Sequence, residues 1–95
     1  MGKIIWAPTA LKDIEAIAKY IERDSIDQSA LFVTRIIAMV DQLERFPQSG
    51  RIIPEINDSY CREIIYGAYR VMYRIVQQEI WNTGVVHGAR NWHPG

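Results

Sequence analysis

Two residues, Gly67-Ala68, constrain this chain more than any others. They separate two runs, Tyr60-Cys61-Arg62-Glu63-Ile64-Ile65-Tyr66 and Tyr69-Arg70-Val71-Met72-Tyr73-Arg74-Ile75-Val76. Both runs are rich in β-branched and aromatic residues and free of proline, which predicts strands. Glycine at the first central position supplies the positive φ of a type II′ turn, so a two-residue hairpin follows. That turn fixes the register: Tyr66 opposite Tyr69, Ile64 opposite Val71, Arg62 opposite Tyr73. On the other face Ile65 meets Arg70, Glu63 meets Met72 and Cys61 meets Arg74. Tyr69, Val71, Tyr73 and Ile75 make a face to be covered; Arg70, Met72 and Arg74 make a wetter, mixed one. Glu63 lies diagonally between the two arginines, and a cross-strand ion-pair ladder would account for all three. Arg70 is also the first candidate for a functional group.

A third run, Glu79 to His87, follows Gln77-Gln78. If these two form a two-residue turn, Arg74 faces Trp81, Met72 faces Thr83 and Arg70 faces Val85. His87 then lies on the face of Arg70, while Ile80, Asn82, Gly84 and Val86 join the covered face. A longer loop would shift this register by one residue.

Upstream of the hairpin, Lys3-Ile4-Ile5-Trp6 is a short strand candidate that Pro8 stops; Pro8 in turn suits the first turn of a helix. Leu11, Ile14, Ile17, Ala18 and Ile21 recur at helical spacing, which predicts an amphipathic helix over Thr9–Asp24 with Thr9 as cap. Ser25-Ile26-Asp27 breaks it with two capping residues. A second helix is predicted over Asp27–Arg45, with one apolar row of Ala30, Val33, Ile37 and Val40 and another of Phe32, Ile36, Met39 and Leu43. Phe46-Pro47 ends it, and Arg51-Ile52-Ile53-Pro54-Glu55 forms an arm or edge strand. Asn91 to Gly95 make a tail that Trp92 docks. The order is β-α-α-β-β-β, an α+β fold whose helical hairpin packs on one face of a mainly antiparallel sheet. The expected core is Ile14, Ile17, Ile21, Val33, Ile37, Val40, Val71, Tyr73 and Ile75.

The 95 residues make one domain, 1–95, and at 48% hydrophobic content they can bury a core without metal or disulfide. Cys61 is alone, which removes a disulfide framework and a cysteine-rich metal site. No phosphate loop, metal cluster or nucleophile–base pattern stands out, so no cofactor is expected. There is no signal-peptide pattern and no apolar run of membrane-spanning length, which makes the cytoplasm the expected compartment. Net charge is zero, so the chain as a whole is not an evident nucleic-acid binder. Its eight arginines and three lysines are unevenly placed, because no lysine follows Lys19. The later positive charge is all arginine, which forks onto carboxylate or phosphate.

Several pieces taken together resemble the RelE/ParE superfamily of bacterial type II toxin–antitoxin modules, most closely its ParE-like or plasmid-stabilisation branch. They are Trp6-Ala7-Pro8 with Ala10 and Asp13-Ile14, then Tyr20-Ile21, Phe46-Pro47-x-x-Gly50-Arg51 with Pro54-Glu55, Arg62-Glu63, Tyr69 to Arg74, and His87-Gly88-Ala89-Arg90. The resemblance spans nearly the whole chain and implies a small toxin neutralised by a cognate antitoxin in a hetero-oligomer. ParE-like members act on DNA gyrase by binding, without chemistry of their own. Arg62, Arg70, Arg74, Trp81 and Arg90 are then candidates for holding target or partner. RelE-like members cut mRNA in the ribosome, and one branch uses Glu, Arg and His. In that alternative Glu55 is base or orienter, Arg70 the phosphate clamp and His87 the acid. The absence of lysine after residue 19 counts against gripping an anionic ribosome site. A further alternative is a non-toxic interaction domain anchored by Tyr60, Tyr66, Tyr69, Tyr73 and Trp81. Whether the protein is an enzyme therefore depends on the branch.

Overall fold

A computed structural model of the protein describes residues 2–88. The candidate Arg90, the end of the His87-to-Arg90 motif and the tail with Trp92 lie outside those residues. Strand β1 (Lys3–Trp6) leads into helices α1 (Pro8–Glu22) and α2 (Ile26–Asp41), and a 3₁₀ turn follows at Gln42–Glu44. Strands β2 (Arg51–Ile52), β3 (Cys61–Tyr66), β4 (Tyr69–Val76) and β5 (Glu79–His87) complete one sheet in the order β1-β5-β4-β3-β2. All neighbours are antiparallel except β1, which lies parallel to β5 at the edge, with Lys3 opposite Glu79 and Trp6 opposite Asn82. This is the α+β arrangement expected from the pattern of runs and turns.

The helices begin where the sequence allows. Pro8 occupies the first turn of α1 behind Ala7, where its missing N–H is no loss. Thr9 is not the cap; its hydroxyl instead donates to the Thr83 carbonyl of β5 (2.9 Å). Ser25 caps α2, accepting from the Gln28 amide at 3.1 Å. Where the helices meet, the Ser29 hydroxyl donates to the Ala18 carbonyl (2.7 Å), so a small polar residue is satisfied in a tight contact.

Phe32, Ile36, Val40 and Leu43 form the buried row of α2 and its exit, packed with Ile14, Val71, Tyr73, Ile80 and Val85. Ile37, expected in the core, is 44% exposed, and Ile17, Ile21, Val33 and Ile75 are only partly buried. The reason is geometric: both apolar rows of α2 have helical spacing, and the buried stripe takes Phe32, Ile36 and Leu43 from one and Val40 from the other.

The β3–β4 hairpin has the expected register at every pair from Cys61↔Arg74 to Tyr66↔Tyr69. Gly67 has φ +55°, a left-handed conformation that glycine adopts without steric cost. The β4–β5 pairing departs from expectation. It starts as a two-residue turn with Val76 opposite Glu79 and Arg74 opposite Trp81, but the register slips between Met72 and Tyr73. Tyr73 faces Asn82 and Met72 faces Gly84, so Thr83 is an extra residue, a β-bulge. Beyond it Arg70 faces Val86, not Val85, and His87 faces Tyr69. His87 is thereby turned to the helix face, opposite to Arg70. The bulge is held from outside: β1 ends beside Asn82, and α1 supplies the next partners, with Thr9 on the Thr83 carbonyl and Asp13 accepting from the Val85 amide (3.0 Å).

Candidate functional site

The face away from the helices carries a four-member charge cluster. Arg70 stands near the start of β4, opposite Ile65 and Val86, and its side chain is only 9% exposed. Its Nε donates to Glu63 Oε1 (2.7 Å), while Nη1 and Nη2 donate to the two oxygens of Glu55 at 2.8 and 2.7 Å. Glu63 has a fully buried side chain, and its second oxygen accepts from Arg51 Nε at 2.6 Å. The two carboxylates and two guanidiniums sum to zero, which is how buried charge is tolerated. Glu63 reaches the cluster because β3 pairs it with Arg51 on one side and Met72 on the other. Glu55 reaches it because the chain leaves β2 through a turn in which the Ile56 and Asn57 amides both donate to the Ile53 carbonyl. Asn57 sits at φ 55°. Met72 and Ile53 are buried without belonging to the helix-side core, so this second face is covered where the cluster lies.

The electrostatics follow the geometry. Hydrogen bonds from Arg70, aided by a backbone hydrogen bond, hold the Glu55 carboxyl at about 2, against its ordinary 4.5. The same Glu55 bond, with Glu63, pushes the Arg70 guanidinium further up. A carboxylate so held is a weak proton acceptor.

The other candidates fall elsewhere. Arg62 faces Tyr73, and its guanidinium donates to three backbone carbonyls, Ser59 (2.8 Å), Gly50 (2.9 Å) and Gln48 (3.3 Å). The Tyr73 hydroxyl, fully buried, donates to the Pro47 carbonyl (2.7 Å) and accepts from the Gly50 amide (3.0 Å). A Cβ on Gly50 would lie 2.6 Å from the Glu63 carbonyl oxygen and 2.7 Å from the Tyr73 hydroxyl, so the backbone approach there demands glycine. The Phe46-Pro47-x-x-Gly50-Arg51 motif thus ties the exit from α2 onto the sheet. Tyr73 is core and offers no anchor to a partner; Tyr60 is exposed. Arg74 is exposed beside Trp81, whose indole N–H donates to Glu79 (3.1 Å).

His87 is exposed at the end of β5, and its ring meets Tyr69 edge-on at 5.3 Å; Tyr69 in turn meets Phe32 at 5.2 Å. It borders a groove of about 660 Å³ between α1 and β5, walled by Asp13, Ala16, Ile17, Tyr20 and Val85. Sequence reasoning missed this groove. Its available signals were Gly84, since a glycine inside a strand often marks a bulge, and Thr9 with Asp13, one helical turn apart and so on one face. Of the proposed trio, Glu55 and Arg70 are bonded to each other, while His87 pairs with Tyr69 in register and borders, together with Arg70, a second cleft of about 280 Å³. Among the described residues no cluster of His, Cys, Asp and Glu could hold a metal, and no helix is long and apolar enough to cross a membrane.

Comparison with known proteins agrees with this architecture. In fold, the chain is similar to a solved structure titled "Chromosomal ParDE TA system from P. aeruginosa", with a TM-score of 0.75 at 19% identity, over 92% of this chain and 96% of that one. In sequence it is 35% identical over 92 residues to "Putative toxin Y4kP" of Sinorhizobium fredii (strain NBRC 101917 / NGR234), covering 95% of this chain and 92% of the relative. Residues 4–92 match the family model described as the ParE toxin of the type II toxin–antitoxin system parDE. That match takes in both helices and all of the sheet but Lys3, and on it the chain belongs to the ParE family of type II toxin–antitoxin toxins.

Proposed function

We propose that the protein inhibits growth by binding DNA gyrase inside the cell and is neutralised by a cognate antitoxin in a toxin–antitoxin complex. The antitoxin partner is suggested by the structural neighbour, itself titled a ParDE system. The observation that favours binding over RNA cleavage is the cluster on the second face. Arg70 is buried between two carboxylates, Glu55 is held at about 2 by hydrogen bonding, and His87 is turned to the helix side. An acid–base cleavage needs a competent base, an available phosphate clamp and an acid around one phosphate. Here Arg70 and Glu55 are engaged with each other, and His87, which borders a cleft with Arg70, packs its ring on Tyr69, which supports the binding reading.

The test is expression without a partner. Growth should stop, gyrase-linked DNA breaks should accumulate and the SOS response should follow. His87→Gln, compared at matched soluble levels, should stay toxic because no proton passes through that imidazole. Arrest with cleaved mRNA and intact DNA, together with a folded but harmless His87→Gln, would overturn the reading in favour of the nuclease. Undisturbed growth would leave only an interaction domain.

A further inference from the structure

The two carboxylates on Arg70 are not equivalent. Glu63 grows from the middle of β3, its side chain is entirely buried, and its other oxygen is held by Arg51. Glu55 sits on a turn outside the sheet, and its side chain is 34% exposed. Glu63 takes the inner Nε of Arg70; Glu55 takes the outer fork, Nη1 and Nη2 together. That outer fork is the part of a guanidinium that matches a planar two-oxygen anion. A cleft of about 280 Å³, bordered by Arg51, Ile65, Tyr69, Arg70, His87 and Gly88, opens beside it.

The geometry points to the Arg70 fork as a carboxylate-binding subsite that Glu55 occupies as an internal stand-in, to be exchanged for an acidic side chain of a protein partner. Glu63 makes the exchange feasible. It keeps the guanidinium oriented when Glu55 leaves, so the incoming group meets a fork already in place. One carboxylate replaces another, and the charge balance of the cluster is preserved. A nucleic acid fits less well, because its backbone is gripped by a row of cationic side chains, and this chain has zero net charge and no lysine after Lys19. The inference does not depend on which target the toxin has, and toxicity does not enter its test.

The experiment is side-chain NMR on the full chain during titration with a short oligoglutamate peptide. In the wild type, the Arg70 guanidinium and the Glu55 carboxyl carbon should shift together and saturate. The Glu63 carboxyl carbon should stay put, and exposed Arg74 should report the unspecific background. Glu55→Gln removes the internal competitor, so half-saturation at Arg70 should fall at least about tenfold, because a site mostly occupied by its own chain loses apparent affinity by its accessible fraction. The inference is overturned if Arg70 merely follows Arg74, or if folded Glu55→Gln shows no gain. Should Glu55→Gln fail to fold, the joint movement of Arg70 and Glu55 in the wild type still decides. An oligonucleotide of equal charge that saturates Arg70 at lower concentration than the peptide would overturn the choice of a protein carboxylate.

Discussion

The two faces of this sheet are buried by opposite means. On the helix side, Phe32, Ile36, Leu43, Val71, Tyr73 and Ile80 remove apolar surface from water, a favourable term that needs no exact partner. On the second face, Arg70 and Glu63 are as deeply placed but carry charge, and their attraction roughly offsets the cost of leaving water. The difference teaches what each face is sensitive to. The apolar face loses stability in proportion to volume removed, whereas the charged face fails abruptly when one partner goes, since the other is then buried and unmatched.

The sharpest break of that contrast is Glu63→Ala, which strips both arginines of their shared carboxylate. It should cost about 3–5 kcal/mol, the usual scale for removing one partner of a buried pair. A loss under about 1 kcal/mol in denaturant unfolding would show that the cluster is effectively wet. Next comes Ile36→Ala on the apolar face, expected to cost about 2–5 kcal/mol. Smaller still is the acid response of Glu55. Its carboxyl is lowered from 4.5 to about 2 in the folded protein, so its contribution is complete above about pH 4.5 and vanishes as pH falls toward 2. Glu55→Gln should flatten that limb of a stability–pH curve; an unchanged limb would assign it to another carboxylate. The smallest effect belongs to Ile37→Ala, within about 0.5 kcal/mol, because an exposed side chain has little burial to lose. A loss like that of Ile36→Ala would mean that the exposed row of α2 is covered in solution.

Those two isoleucines also show what periodicity can and cannot decide. They are adjacent in sequence and belong to two apolar rows of the same helix, and only the sheet beneath selects between them. The β3–β4 hairpin was fully legible because Gly67 fixes its turn and side-chain alternation does the rest. The β4–β5 register was legible only as far as Tyr73, since a bulge at Thr83 obeys no alternation rule and reverses every face after it. That one residue gave His87 Tyr69 as its register partner and took it off the face of Arg70, though both still border one cleft. The ion-pair reading of Glu63 was half right: Arg70 belongs to it, but Glu63 also holds Arg51, across the opposite edge of β3, where Arg74 was expected. No short-range rule brings Glu55 back onto β4, because its bonds to Arg70 depend on how the turn after β2 closes. Arg70→Lys, which looks conservative in sequence, would therefore disturb stability as well as recognition, since a lysine cannot hold two carboxylates with one planar fork.

The parallel pairing of β1 with β5 governs when this molecule comes into being. Lys3 pairs with Glu79 and Trp6 with Asn82, so the first strand made has no partner until the last one emerges. At about 5–20 residues per second the helical hairpin, built from local contacts, can form while β1 still waits. Closure of the sheet, and with it the anchoring of α1 through Thr9 and Asp13 on β5, must wait until β5 has been made. A chain still short of β5 thus holds β4 as an open edge and β1 without a partner, and the sheet is whole only once β5 has emerged.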